Sequence, residues 1–304
     1  MKKVKLANHE TFYPRQNWLY KGLHELERKR IIKDTIYTEF NFKDNIDSKL
    51  NEYEEYPTDS FGVGVNMVKS IRYWTKSFGL SNLIEEPSLQ ILLDEDPHLT
   101  NTSSKFIIQY NFFLQENIPT TWFWFFCVST LIGFDKNSFV QSYKDYLESE
   151  GFEIPSEKTI DSDFTTLTGM YAKNSKDYFY PSEFADLNMI QFNLISKRFF
   201  RNTDLNISID TFLYSLFLFK NKFYPNAESL DLDLIARQEL SPFKVFRKEI
   251  NFLFLESEKI SPKLSKKIKL TRSAGLKLIQ FENIHAKDFI SSIGKNPNVE
   301  SYYF

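Results

Sequence analysis

Scarcity is the first informative property of this sequence. Its one cysteine, Cys127, rules out an internal disulfide and any multi-cysteine zinc or iron–sulfur site. The four histidines, His9, His24, His98 and His285, lie far apart, and none forms the His-x-x-x-His pair of a helical zinc site. Only 9 glycines occur in 304 residues. That is too few for glycine-rich phosphate loops or many tight β-turns, and it leans the fold toward helices. Gly62-Val63-Gly64 opens like a dinucleotide loop, but Met67 stands where the third glycine belongs and no Rossmann strand precedes it. A Walker-type Gly-Lys-Ser/Thr is absent, so no cofactor motif is found.

Charge of one sign and long apolar runs are missing too. Lys+Arg 38 against Asp+Glu 40 leaves a formal net charge of −2, which excludes nucleic-acid binding by bulk charge alone. The most apolar stretch, Trp122-Phe123-Trp124-Phe125-Phe126-Cys127-Val128, falls far short of the roughly 20 residues a membrane span needs. Met1-Lys2-Lys3 resembles the start of a signal peptide, yet Asn8, His9, Glu10 and Arg15 interrupt the place of its apolar core. A cytoplasmic protein with no membrane partner is expected.

What the chain has in excess is aromatic: Phe 31, Tyr 16 and Trp 4. Stacking platforms for single-stranded bases would need exposed aromatics interleaved with basic residues. Most of these sit in apolar runs instead, which assigns them to core packing.

The periodicity predicts a helix over residues 13–30 with Trp18, Leu19, Leu23 and Leu26 on one face. An acidic connection (Asp44, Asp47, Glu52, Glu54, Glu55) ends at Pro57, and a second helix follows over 64–78. There Met67, Ile71, Trp74 and Phe78 form one stripe, Lys69, Arg72 and Lys76 another, with Tyr73 beside them. Leu83-Ile84, a turn at Pro87 and Leu89–Leu93 read as a small hairpin. Helix, helix and hairpin in that order suggest a winged helix-turn-helix unit.

The middle of the chain repeats this plan, with helices over 104–116, around Trp122 and Trp124, over 135–150, and from Ser156 onward. Ser156 followed by Thr159, Ile160, Asp163, Phe164 and Leu167 has the rhythm of a capped recognition helix, and equally of an ordinary amphipathic one. The last third offers helices over 208–220, 229–238 and 243–258, then two strands over 267–281 around Ser273-Ala274-Gly275, again wing-like. The expected fold is therefore mainly α (α+β), as tandem winged helix-turn-helix units with short β-hairpin wings. Its expected domains are residues 1–100, 101–188 and 189–304.

Enzyme signatures are mostly missing. Cys127, inside an aromatic helix, reads as a buried thiol. Asp94-Glu95-Asp96 and the Asp161/Asp163 pair have carboxylates enough for a divalent ion, but without a clustered partner they read as solvated or capping groups, so no metal site is assigned. His9 and Glu10 with Arg15 form the best candidate polar site, read first as a buried hydrogen-bonded corner.

Basic residues carry more signal. From Lys259 to Gln280 no acidic residue occurs, while Lys259, Lys263, Lys266, Lys267, Lys269, Arg272 and Lys277 all do. Basic side chains on a wing hold phosphates by charge without reading sequence. The Lys69, Arg72, Tyr73 and Lys76 face is a second patch, and Lys197, Arg198 and Arg201 a third.

Several stretches together resemble one bacterial family, known only as domain of unknown function 4007. They are Asn8-His9-Glu10-Thr11-Phe12-Tyr13-Pro14-Arg15 with Trp18-Leu19-Tyr20-Lys21-Gly22, then Gly62-Val63-Gly64-Val65-Asn66-Met67-Val68-Lys69-Ser70-Ile71-Arg72-Tyr73-Trp74. Thr120-Thr121-Trp122-Phe123-Trp124-Phe125-Phe126, Ser241-Pro242-Phe243-Lys244-Val245-Phe246 and Ser273-Ala274-Gly275-Leu276 complete the set. Val65 departs from the pattern, where relatives more commonly carry Lys, which weakens a phosphate contact there. The resemblance implies a place beside DNA phosphorothioate-modification or other anti-phage defence components. Some relatives carry a reductase label, which nothing in this sequence supports.

The expectation is a non-enzymatic protein that binds double-stranded DNA within such a system. The helices over 64–78 and 156–171 would approach the major groove through Lys69, Arg72, Tyr73, Lys76, Lys158 and Thr159. Lys263, Lys266, Lys267, Lys269 and Arg272 would hold the backbone. The alternative is an adaptor that docks other defence or DNA-modification proteins, such as a modification enzyme or ATPase. Self-association into a homo-oligomer is compatible with both. An enzyme centred on His9, Glu10 and Arg15 is a third reading, which would need those residues to converge on an open pocket.

Overall fold

A helix that is apolar on every side has to lie at the centre of a fold. In the computed structural model, which describes residues 2–40, 58, 61–82, 87–172 and 181–293, that position belongs to α4 (Thr102–Leu114), counted after α1 (Trp18–Phe40), α2 (Val65–Ser77) and α3 (Pro87–Glu95). It is buried from Ser104 through Leu114, and Asn101 caps it by accepting from the Ser103 N–H at 2.8 Å. Two of its polar members find partners on neighbouring segments: Lys105 Nζ meets Asp186 at 2.9 Å and Asn111 Nδ2 donates to the Phe78 carbonyl at 2.7 Å.

Helices surround it. The middle of the chain supplies α5 (Thr120–Phe123), continued by a π-helix (Trp124–Val128), then α6 (Lys136–Ser149) and α7 (Glu157–Tyr171). The last third supplies α8 (Ile209–Phe223), α9 (Leu232–Arg237), α10 (Pro242–Val245), α11 (Ile250–Leu255), α12 (Pro262–Ser265) and α13 (Ala286–Ile293). α8 packs on α4 and on α13, which also packs on α3; α1 packs on α2, and α6 on α7. The first and last thirds are therefore in contact, and Asn101 Nδ2 donates to the Ile293 carbonyl at 3.0 Å.

Two small antiparallel sheets complete the α+β architecture. One orders β1 (Gly133–Phe134), β3 (Arg198–Arg201) and β2 (Ile190–Asn193) with β3 central. The other places β6 (Leu276–Phe281) between β4 (Ser229–Asp231) and β5 (Ile268–Ser273). Its hairpin turns at Ala274 and Gly275, with φ of 48° and 83°, the paired left-handed conformation that suits the twist of a two-residue hairpin.

One buried cluster includes apolar residues from all three segments expected from the sequence. Its large members are the aromatics: Trp74, Trp122, Tyr110, Phe112, Phe113, Phe125 and Phe126 are all fully buried. Trp74 meets Trp122 edge-on at 5.7 Å, and Phe113 meets Phe126 at 5.2 Å. The aromatic excess fills the core.

Four local expectations are corrected. Leu89–Leu93 is helical within α3, not a hairpin, because Leu89, Leu92 and Leu93 are buried at helical spacing behind Pro87 at the first turn. Leu83 and Ile84 lie outside the described residues. The single helix expected over 243–258 is two, because the chain leaves helical geometry at Arg247, with φ of 50°. Residues 229–238 begin as a strand, and Asp231 then caps α9 by accepting from the Asp233 N–H at 2.9 Å. On α1, Trp18 and Leu19 are buried but Leu26 is exposed, and the helix starts at Trp18 instead of residue 13 because Asn17 takes a positive φ of 66°.

Candidate nucleic-acid interface

α2 begins at Gly64 and buries Val68, Ile71, Trp74 and Thr75, so its other stripe must face solvent. Lys69 and Lys76, two turns apart, are exposed there. Arg72 between them is held to α1, its Nε lying 3.0 and 3.1 Å from the two carboxylate oxygens of buried Glu25. Lys29 approaches the same carboxylate at 3.5 Å. Tyr73 turns inward, edge-on against Trp74 at 5.0 Å, and burial raises its hydroxyl pKa. The α2 face thus offers two open lysines around one anchored guanidinium.

α7 is capped as its sequence suggests: Ser156 Oγ accepts from the Thr159 N–H at 3.2 Å and bonds the Thr159 hydroxyl at 2.8 Å. Lys158 is exposed and Thr159 half-buried, but from Ile160 onward most of the helix is buried. Only its first turn is open to a groove. Of the paired aspartates, Asp161 binds Lys136 at 2.6 Å, while Asp163 points into the interior.

There Asp163 organises the N-terminal polar cluster. His9 Nε2 lies 3.1 Å from its Oδ1, and the Thr121 hydroxyl donates to its Oδ2 at 2.5 Å. His9 Nδ1 accepts from the Thr11 N–H at 3.0 Å, which leaves Nε2 as the ring nitrogen that faces Asp163. The ring lies parallel to Trp74 at 6.2 Å and edge-on to Trp122 at 5.9 Å. Glu10 is exposed, and the Arg15 guanidinium lies over Phe12 and Trp18 at 5.6 and 5.5 Å. The three residues do not converge: His9 is buried, and none of the three lines a described cavity.

The basic window lies on the β5–β6 hairpin and on the segment leading into it, and nearly every cation in it has a partner. Lys263 and Lys267 both reach Asp288, at 3.2 and 2.7 Å, and Lys269 reaches Glu282 at 2.6 Å. Lys277 reaches Asp233 at 3.0 Å and Lys259 reaches Glu256 at 2.6 Å. Arg272 donates to Asn251 at 2.7 Å and lies 4.5 Å over the Phe254 ring. Lys266 remains exposed. Burial raises the Asp288 carboxyl, but hydrogen bonds from Lys267, the His285 N–H and Lys263 outweigh this and bring it down to about 2. The acid-free window of sequence is neutralised by carboxylates on either side of it.

The third basic group divides. Lys197 and Arg198 are exposed, Arg198 donating to the Gly133 carbonyl at 3.0 Å. Arg201 is buried, 4% exposed, and donates to the carbonyls of Phe125 and Phe126 (2.6 Å to the latter) with its guanidinium 5.1 Å from both rings. The π-helix makes those carbonyls available, because the Ser129 N–H bonds Trp124, five residues back, at 2.7 Å.

Sequence reasoning missed a further cationic site. A cavity of about 540 Å³ opens between the end of the π-helix and the α10–α11 turn. Lys244, Arg247, Lys248 and Lys277 line it, with Glu249 the one acidic lining residue. Arg247 donates to the Ser129 carbonyl at 2.6 Å. The available signals were Lys244 inside Ser241-Pro242-Phe243-Lys244 and the adjoining Arg247-Lys248 pair. A larger groove of about 840 Å³ between α1 and α3 carries both signs, with Arg30 against Glu27 and Asp94.

Fold and surface define an α+β protein with segregated cationic faces on a near-neutral chain. Among the described residues no group of three or more His, Cys, Asp and Glu is placed to hold a metal ion, and no helix is long and apolar enough to cross a membrane. The chain belongs to the family described as Protein of unknown function (DUF4007), whose model matches residues 6–295. Its fold is similar to two crystal structures of SspB. The magnesium ion-bound form has a TM-score of 0.73 at 17% identity, covering 98% of this chain and 90% of that one. The other has a TM-score of 0.71 at 18% identity, covering 98% and 91%. No curated protein matches.

Proposed function

We infer that this protein is a DNA-binding, non-enzymatic component of a bacterial DNA-modification system of the phosphorothioation type or of an anti-phage defence system. The support for this reading is the resemblance read from the sequence, which implies a place beside such systems. The family model itself is described as of unknown function, and the likeness to SspB is one of overall fold. In this reading the helices act as helix-turn-helix units in the cytoplasm, with the β2–β3 and β5–β6 hairpins as wings and α3 in the place of a wing in the first third. The observation that carries it is the α2 face, where Lys69 and Lys76 stand exposed two turns apart with Arg72 fixed between them. Lysines so spaced contact phosphates without reading bases. Lys158, Lys266, Lys197 and Arg198 are exposed and add to the same charge term. Lys263, Lys267, Lys269 and Arg272 join only by exchanging partners they already hold.

The experiment is titration of duplex DNA at two salt concentrations with wild type and Lys69→Glu/Lys76→Glu. Wild-type affinity falls steeply with salt, and the double variant flattens that slope by about 2, one counterion per lost phosphate contact. Absence of binding, or binding indifferent to salt, ends the reading.

A second reading, an adaptor for other proteins of the same system, is favoured by one observation. α9 packs on β6 and α11, and these three elements carry exposed Leu234, Leu276 and Leu255, at 55%, 54% and 79%. Exposed apolar side chains on adjoining elements fit a protein partner. Co-purification with a modification enzyme or ATPase that survives nuclease treatment and is lost in Leu234→Ser/Leu255→Ser supports it.

A further inference from the structure

The cavity at the end of the π-helix has a charge imbalance that the protein itself does not resolve. Its volume of about 540 Å³ falls in the range of roughly 300–1,000 Å³ usual for small-molecule sites. Of its four cations, Lys277 is committed to Asp233 at 3.0 Å, and Lys248 approaches exposed Asp204 only at 3.9 Å. Lys244 is exposed. Arg247 is half-buried and bonds a carbonyl, that of Ser129.

Directly behind, buried Arg201 also bonds carbonyls alone. The hydrogen bonds of both guanidiniums go to carbonyls, with no carboxylate among their acceptors, although the two are close enough to repel. Burial and then the charge of Arg247 bring the Arg201 pKa down to about 9, and burial lowers that of Arg247. The backbone adds to the cost: Arg247 is not glycine, yet it holds a left-handed φ of 50°, a conformation strained for a residue with a side chain. That turn is what brings Lys244, Arg247 and Lys248 to one wall.

An anion in the cavity relieves the repulsion, and a phosphate, with several acceptor oxygens, matches converging Arg and Lys donors. The rest of the lining is mixed: Ser129, Thr130 and Asn251 are polar, and half-buried Ala236 and Ile250 supply apolar surface for a sugar or base beside the charge.

We propose that this cavity binds the phosphate of a nucleotide, held by Lys244, Arg247 and Lys248 with its nucleoside against Ala236 and Ile250. Two sources present the same chemistry: a free mononucleotide, or a phosphate within or at the end of a DNA strand. The site is separate from the α2 face, and the proposal does not depend on duplex binding there.

The test is calorimetric titration of the full chain with deoxyadenosine 5′-monophosphate, deoxyadenosine and a short single-stranded oligonucleotide. Proteins are wild type, Lys244→Gln/Lys248→Gln, Arg247→Gln, and Lys69→Gln/Lys76→Gln as a distant control. Phosphate-bearing probes should bind wild type and the distant control alike, and deoxyadenosine should not bind. Affinity should drop about tenfold or more in Lys244→Gln/Lys248→Gln, the loss of two charge-assisted hydrogen bonds.

Arg247→Gln also loses a structural hydrogen bond, so its folding is checked by thermal melting. The lysine pair, one side chain exposed and one half-buried, keeps the test decisive. Mononucleotide binding alone assigns a free nucleotide, and oligonucleotide binding displaced by the mononucleotide assigns a strand. Binding by neither phosphate probe, or binding unchanged in Lys244→Gln/Lys248→Gln, overturns the proposal. Duplex binding that persists in that variant leaves the α2 reading standing, so the two fail separately.

Discussion

The β5–β6 hairpin and the α10–α11 turn are both cationic, and they treat their charges in opposite ways. On the hairpin and the segment leading into it, Lys263, Lys267 and Lys269 each hold a carboxylate, and Lys277 on β6 holds Asp233. At the turn, Arg247 and neighbouring Arg201 hold only backbone carbonyls. A run of lysines in sequence therefore says little about charge open to a ligand. Spatial pairing decides it, because an ion pair with a carboxylate has already discharged the field a phosphate would feel.

The largest expected effect lies beside the turn, at Arg201 on β3. Arg201→Met removes the guanidinium and leaves two buried carbonyls without donors, a loss of about 2–4 kcal/mol. Chemical denaturation at constant m-value measures it. A loss under about 1 kcal/mol would mean the carbonyls do not need the guanidinium, and the contrast with the hairpin would fall.

A smaller effect belongs to the hairpin. The Asp288 carboxyl lies at about 2, below its ordinary 3.8, so its contribution to stability is present above pH 4 and lost as pH falls toward 2. Asp288→Asn should start less stable at neutral pH and show a shallower decline between pH 4 and 2, read from melting temperature against pH. Equal steepness in both proteins would show that the lysine pairs contribute nothing to folding.

α2 was legible because its apolar and basic stripes repeat every three to four residues with Gly64 before and Gly79 after. The β5–β6 hairpin was legible from Ser273-Ala274-Gly275, and the α7 cap from Ser156. α3 was misread because a leucine run of this length suits strand and helix alike. The break between α10 and α11 rests on a left-handed arginine, which no composition rule flags.

The site was harder. The ion pairs of the hairpin depend on Asp233, Glu282 and Asp288, which lie outside the window that looked purely basic. His9 owes its burial to Asp163 and Thr121, more than a hundred residues away in sequence. The cavity joins residues 126–130 to residues 243–251, and no local pattern announces such a meeting.

The central claim is that unpaired cations, not the longest basic run, meet phosphate. Its most direct measurement is the salt dependence of duplex DNA binding in two variants compared side by side, Lys69→Gln/Lys76→Gln and Lys263→Gln/Lys269→Gln. The account predicts that the first lowers the salt slope by about 2 and the second by less than about 1. The reverse order would contradict it.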